Sequence, residues 1–172
     1  KQAALNLLSE AVQNLPDDPE ILYAQVLLLD PFENRDQLDR ALKQLLELEP
    51  NSPTYLNAYA YTLALQNRRL DEARSYAERA LSNAPDQASI LDTLGYITFL
   101  QNDFDTAAKV LGQAYQLSPS LNIGIRYAKS LYMQGSLKQF NALLQQLNET
   151  YQHDPQLAQL DLLVLPHKQK KS

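Results

Sequence analysis

One stretch of this chain is written twice, and that repetition constrains the fold more than any other feature. Leu56-Asn57-Ala58-Tyr59-Ala60-Tyr61-Thr62-Leu63-Ala64-Leu65-Gln66-Asn67 and Leu91-Asp92-Thr93-Leu94-Gly95-Tyr96-Ile97-Thr98-Phe99-Leu100-Gln101-Asn102 keep apolar, small and aromatic residues in step. Each copy runs into a second helix-like segment, where Leu70, Ala73, Ala77, Ala80 and Pro85 match Phe104, Ala107, Leu111, Ala114 and Pro119. A unit of this size is one helical hairpin, which cannot bury its apolar face alone and must stack on its neighbours. Pro16, Pro50, Pro85 and Pro119 fall at nearly equal intervals, where they end helices instead of interrupting them. The turn Gln66-Asn67-Arg68-Arg69 has one residue more than Gln101-Asn102-Asp103, an insertion that costs little in a loop.

The rest of the chain follows the same rhythm. Gln2 to Leu15 reads as an amphipathic helix with Ala4, Leu8 and Ala11 toward a partner, the pattern of a second helix, so the chain opens halfway through a repeat. Asp18-Pro19, Ser52-Pro53, Ser120 and Asp154-Pro155 are helix starts, with a capping side chain and, in three of them, proline at the first helical position. The helix after Pro19 is so apolar around its circumference that more than one side should be covered. Leu38, Leu42 and Leu45 stand where the central copies have alanine, which predicts a wider helix separation in that hairpin. Gly135 closes a helix containing Ile123 to Tyr132, and from Leu137 onward the small positions become bulky. The predicted organisation is one solenoid over 1–166: a truncated repeat at 1–16, repeats at 19–50, 53–85, 87–119 and 121–152, and a C-terminal cap at 155–166. A disordered basic tail then occupies 167–172.

Little in the sequence points to catalysis. The net charge of -5 removes the basic face that nucleic-acid binding needs. With no Cys there is no disulfide framework and no thiolate metal site, in a reducing or an oxidising compartment alike. No apolar run approaches the roughly 20 residues of a membrane helix, so direct membrane insertion by this segment is not expected. The first residue is Lys1 and not Met, which points to a piece of a longer polypeptide. His153 and His167 lack metal-ligand spacing and read as solvated. Asp71-Glu72 and Asp103-Phe104-Asp105 sit in first turns of second helices, where the helix dipole favours negative charge. Arg68-Arg69 and the tail lysines read as solvated loops. No phosphate loop or nucleophile elbow is present; no enzyme activity, metal or cofactor is expected.

Gly95, Phe104, Ala107, Ala114 and Pro119, at these offsets in a 34-residue unit, resemble the tetratricopeptide repeat (TPR). The resemblance implies an all-α fold: about nine helices in antiparallel pairs, wound as a right-handed superhelical solenoid that binds a protein or peptide in its concave groove. First helices would line that groove with Asn57, Tyr61 and Leu65, then Asp92, Tyr96 and Phe99, then Lys129, Tyr132 and Met133. Alternatively the tyrosines pack between first helices. A basic clamp for chaperone tails is absent. A narrower resemblance rests on Asn57-Ala58-Tyr59-Ala60-Tyr61-Thr62-Leu63-Ala64, Leu70-Asp71-Glu72-Ala73 and Ile90-Leu91-Asp92-Thr93-Leu94-Gly95-Tyr96. These are similar to TPR-rich bacterial envelope lipoproteins, some of which bind C-terminal processing proteases; Ala60 and Thr93 replace the usual Gly and Ser. That kinship implies an adaptor in the envelope or periplasm with its lipid-attachment segment upstream of Lys1; the alternatives are the cytoplasm and a self-associating spacer. Self-association would use the open N-terminal hairpin or, if it is not folded back as a cap, the cluster Leu157, Leu160, Leu163 and Val164.

Overall fold

The computed structural model describes residues 2–152, 154–158 and 160, and every regular element among them is an α-helix. Residues 1–85 form one compact unit with α1 (Gln2–Asn14), α2 (Pro19–Leu28), α3 (Arg35–Leu48), α4 (Pro53–Leu65) and α5 (Leu70–Asn83). Residues 86–172 form a second, with α6 (Ala88–Leu100), α7 (Phe104–Leu117), α8 (Leu121–Gln134), α9 (Leu137–Thr150) and a helical turn at 155–158. Within each unit, turns of a few residues force each helix to run antiparallel to its predecessor. The expected all-α fold of paired helices is the one that forms. His153, Leu163, Val164, His167 and the 167–172 tail lie outside the described residues, as does the cap beyond Leu160.

Helix starts follow local chemistry. Asp18 Oδ1 accepts from the Glu20 and Ile21 N–H groups at 3.0 and 3.1 Å, with Pro19 at the first helical position. Asp103, Ser120 and Asp154 likewise accept from the N–H groups of Thr106, Ile123 and Gln156. Ser52 departs from the expected cap: its side chain makes no capping bond, and α4 begins on the fixed φ of Pro53 and a Leu56 N–H bond to the Ser52 carbonyl. Gly135 ends α8 at φ +86°, a conformation that suits glycine.

In the first unit α2 packs on both α1 and α3, burying Leu22, Val26 and Leu29, yet Leu27 stays 67% exposed. Its apolar circumference is therefore wider than its cover. The leucine-lined pair α2 and α3 touches far less extensively than the alanine-lined pair α4 and α5, in keeping with the bulk at Leu38, Leu42 and Leu45. Arg69 corrects the reading of its turn as merely solvated. It takes a left-handed conformation and its guanidinium bonds Asp39 of α3 at 2.9 Å, Glu72 at 2.5 Å and the Tyr59 hydroxyl at 3.3 Å. The Tyr59 hydroxyl in turn donates to Asp39, and its fully buried ring stacks on Tyr76 at 4.9 Å.

In the second unit α7 crosses α6 at Gly95, with the Leu111 side chain laid directly on the glycine. In the next pair the roles exchange. Phe140, Leu144 and Leu147 of α9 are bulky and buried, and the space comes from Gly124 of α8, against which Leu147 sits. Leu157 and Leu160 are buried as well, so the segment after α9 folds back onto the unit.

Candidate protein-binding site

Two helix faces of the second unit meet at a cleft. On α6, Asp92, Tyr96 and Phe99 recur at helical spacing along one face; on α8, Asn122, Ile125, Arg126 and Lys129 do the same. α6 and α8 are packed together, and between them lies a cleft of about 270 Å³ walled by Tyr96 and Phe99 on one side and the four α8 residues on the other. Gln156, from the helical turn after α9, completes the wall.

Arg126 fixes the geometry. Its guanidinium lies over the Tyr96 ring, 4.5 Å from the centroid, and its Nη1 donates to Asp92 Oδ2 at 2.5 Å, tying α8 to α6. The pair is largely withdrawn from water, with the two side chains 22% and 17% exposed. Burial pushes the Asp92 carboxyl above its ordinary value, and the charge and hydrogen bond of Arg126 offset only part of that. The other carboxylate oxygen, Oδ1, is buried and accepts no hydrogen bond among the described residues. Phe99 is half-buried against Phe104 at 5.4 Å, edge to face.

Of the nine residues expected to line a groove, Tyr96, Phe99 and Lys129 wall this cleft and Asp92 braces it. Tyr132 instead packs its ring on Phe140 at 5.4 Å, and Met133 is 50% exposed outside the cleft. Asn57, Tyr61 and Leu65 stand on α4 of the first unit, each half-buried, and Asn57 Oδ1 shares with Asp92 the property of being a buried acceptor without a bond. Asn122, Ile125, Arg126 and Gln156 were not foreseen. For three of them a signal existed: Asn122, Ile125 and Arg126 precede Lys129 at seven, four and three residues, on the same helix face. The hollows of the first unit, of 360 and 420 Å³, are larger but carry no aromatic wall. Among the described residues no cluster of three or more His, Cys, Asp or Glu is arranged to hold a metal, and no helix is long and apolar enough to cross a membrane.

Comparison with known proteins adds three findings. The tetratricopeptide repeat family profile matches residues 99–161. A TPR repeat-containing protein of Pseudomonas aeruginosa is 31% identical over 119 residues, which is 69% of this chain but 20% of that protein, so the chain spans about a fifth of this relative's length. Among solved structures, a thermophilic TPR protein of Thermus thermophilus superposes with a TM-score of 0.77 over 95% of this chain and 90% of its own, at 23% identity. YrrB, described as a TPR protein with an unusual peptide-binding site, superposes with a TM-score of 0.71 over 95% and 85%, at 16% identity.

Proposed function

We propose, from the premise that this chain belongs to the tetratricopeptide repeat family, that it is a non-catalytic interaction scaffold whose α6–α8 cleft holds a segment of a polypeptide partner. The observation that carries this is the cleft itself, with two half-buried aromatic rings facing a row of polar and cationic side chains on a neighbouring helix. Aromatic side chains in partly desolvated clefts are where binding energy concentrates in protein interfaces. The fold shared with a peptide-binding neighbour supports the same reading. The setting we propose is the bacterial cell envelope, with a protease or its substrate as the recruited partner. The lipoprotein-like residues at 57–64 and 90–96 support it. Osmotic-shock fractionation of the source cell separates this setting from the cytoplasm.

The test removes the rings. Tyr96→Ala together with Phe99→Ala is expected to weaken partner binding by about 2–4 kcal/mol. Proteins retained from source-cell lysate by the parent chain should be absent from the variant, with a melting curve run alongside. Equal recovery by a folded variant would move the interaction surface elsewhere. Lost recovery with a collapse in melting temperature would make the rings core residues.

A second reading, self-association, is favoured by one observation on α1. Ala4 is exposed and Leu7 is 68% exposed, whereas Ala73, Ala77, Ala80, Ala107, Leu111 and Ala114, on the second helices of the central copies, are all at 0%. If α1 pairs between copies, light scattering will show a mass that rises with concentration, and Leu7→Asp will return it to the monomer value. A constant monomer mass in the parent removes this reading.

A further inference from the structure

Seams at which a second helix meets the next first helix are not all built alike. In the second unit α7 buries Ala107, Ala108, Val110, Leu111, Ala114 and Tyr115 and packs broadly on α8. In the first unit α3 buries Leu38, Ala41, Leu42 and Leu45, shares that one face between α2 and α4, and touches α4 much less extensively. Polar bonds carry much of this join, beside the tilted ring contact of Tyr23 with Tyr55 at 5.3 Å. The Tyr59 hydroxyl donates to Asp39, Arg69 Nη1 donates to the same carboxylate at 2.9 Å, and Gln66 Nε2 donates to the Pro31 carbonyl at 2.7 Å. These bonds part cheaply. Asp39 and Arg69 are each a third exposed, Lys43 stays with Asp39 and Glu72 stays with Arg69. Neither charge is left without a partner when the join opens, and water replaces the lost bonds.

We propose that residues 2–48 swing away from α4 and α5 as one body, about a pivot at Glu49, in an opening far more frequent than the unfolding of α4 and α5. Each side is tied together by bonds that do not cross the seam. Gln44 Nε2 holds the Pro16 carbonyl to α3 at 2.8 Å, so the turn before α2 moves with α3, and α1 packs on α2 and is carried with it. Arg79 Nη2 and Asn83 Nδ2 hold the Pro50 and Asn51 carbonyls to α5, each at 2.9 Å, so the turn before α4 moves with α5. The backbone between these anchors is Glu49, which follows α3 at φ -133° and ψ 80°. Hinges sit at such element ends, where a few torsions absorb the motion. The opening is a conformational device built into the first unit. It uncovers the edge of Tyr59 that faces Asp39, while α4 and α5 keep their alanine-lined packing.

Native-state hydrogen exchange of the whole chain, followed by mass spectrometry through low urea, is the test. Amides of α2 and α3 are expected to share one opening constant, roughly tenfold or more above that of α4 and α5, with a weaker urea dependence because less surface is exposed. Asp39→Asn should enlarge that constant severalfold. Ala77→Gly, inside α5, should raise exchange in α4 and α5 roughly tenfold and leave α2 and α3 unchanged, since the opening does not melt that helix. Should Ala77→Gly not fold, Ser75→Gly on the exposed face of the same helix makes the comparison with a smaller factor. An equal rise in all four helices would mean a single global unfolding and overturn the inference. Opening constants that differ severalfold between α2 and α3 would mean fraying from the end instead of one moving body, and would overturn it too. So would an opening of α2 and α3 that Asp39→Asn leaves unchanged, because the joint would then survive the motion.

Discussion

Gly95→Leu is expected to destabilise residues 86–172 by about 3 kcal/mol or more, at the upper end of what overpacking costs. The reason is distance. A Cβ on Gly95 would lie 2.4 Å from Leu111 Cγ and 2.8 Å from its Cδ2, before any of the three further carbons of leucine are placed. Each kcal/mol lowers the melting temperature of a unit this size by roughly 4–8 °C, so a drop of about ten degrees or more should be seen by circular dichroism. Gly112→Ala is the control. The atoms nearest its Cβ would be the end of the Tyr127 ring, at 3.2 Å, and alanine raises helix propensity, so the change should be neutral or slightly stabilising. Adding Leu111→Ala should recover part of the Gly95→Leu loss, because the three atoms nearest the added Cβ all belong to Leu111. Additive losses in that pair would mean that α6 and α7 cross elsewhere.

Tyr59→Ala is the second large effect, about 3–5 kcal/mol in residues 1–85, the range for removing a buried aromatic ring. The ring is fully buried on Tyr76, and its hydroxyl is the joint between Asp39 and Arg69. Tyr59→Phe keeps the ring and should cost only about 1–2 kcal/mol, for the Asp39 acceptor and the Arg69 donor that lose the hydroxyl. The same joint makes the unit sensitive to acid. Burial raises the Asp39 carboxyl, but hydrogen bonds from Lys43, Tyr59 and Arg69 outweigh it and hold the group at about 2, below its ordinary 3.8. A carboxyl depressed in the folded state contributes stability that is fully present above pH 4 and is lost as pH falls toward 2. With the side chain a third exposed, solvent screening leaves on the order of 1–2 kcal/mol in that window. Urea unfolding at pH 5 and pH 2.5 checks it: Asp39→Asn should flatten this part of the pH dependence, and an unchanged slope would remove Asp39 from it.

Local chemistry made much of this legible in advance. The two written copies, the proline intervals and the caps at Asp18 and Ser120 depend on neighbours in sequence, and the helices appear where those signals put them. The crossing at Gly95 was readable because small residues recur at matched positions. What could not be read were partners chosen across space. Arg69 looked like half of a loop dipeptide until α3 placed Asp39 beside it, and Arg126 was not singled out until α6 placed Asp92 and Tyr96 beneath it. The loss of small residues from α9 was visible, but the compensating Gly124 lies on the other helix of the pair, outside any pattern that reads one helix at a time. Tyr132 missed the cleft for a related reason: Phe140, one of the bulky replacements, is where its ring settles.

The inserted residue in the turn before α5 has a consequence for how freely such units can be exchanged. In the shorter turn, Asp103 caps α7 with its own side chain, a device that works in any setting. In the longer turn Arg69 occupies that place, makes no side-chain cap, and divides its donors between Glu72 of its own helix and Asp39 of the preceding hairpin. One copy is thus self-sufficient at its second helix, and the other is written for a specific neighbour. The unit at 87–119 could be transplanted behind a foreign hairpin with its start intact, but moving the unit at 53–85 would take Tyr59 and Arg69 away from Asp39, leaving that carboxylate to Lys43 and the arginine to Glu72 and Tyr59. Modules of matched pattern in one polypeptide are not interchangeable parts, and a single extra residue in a loop is enough to give each an address.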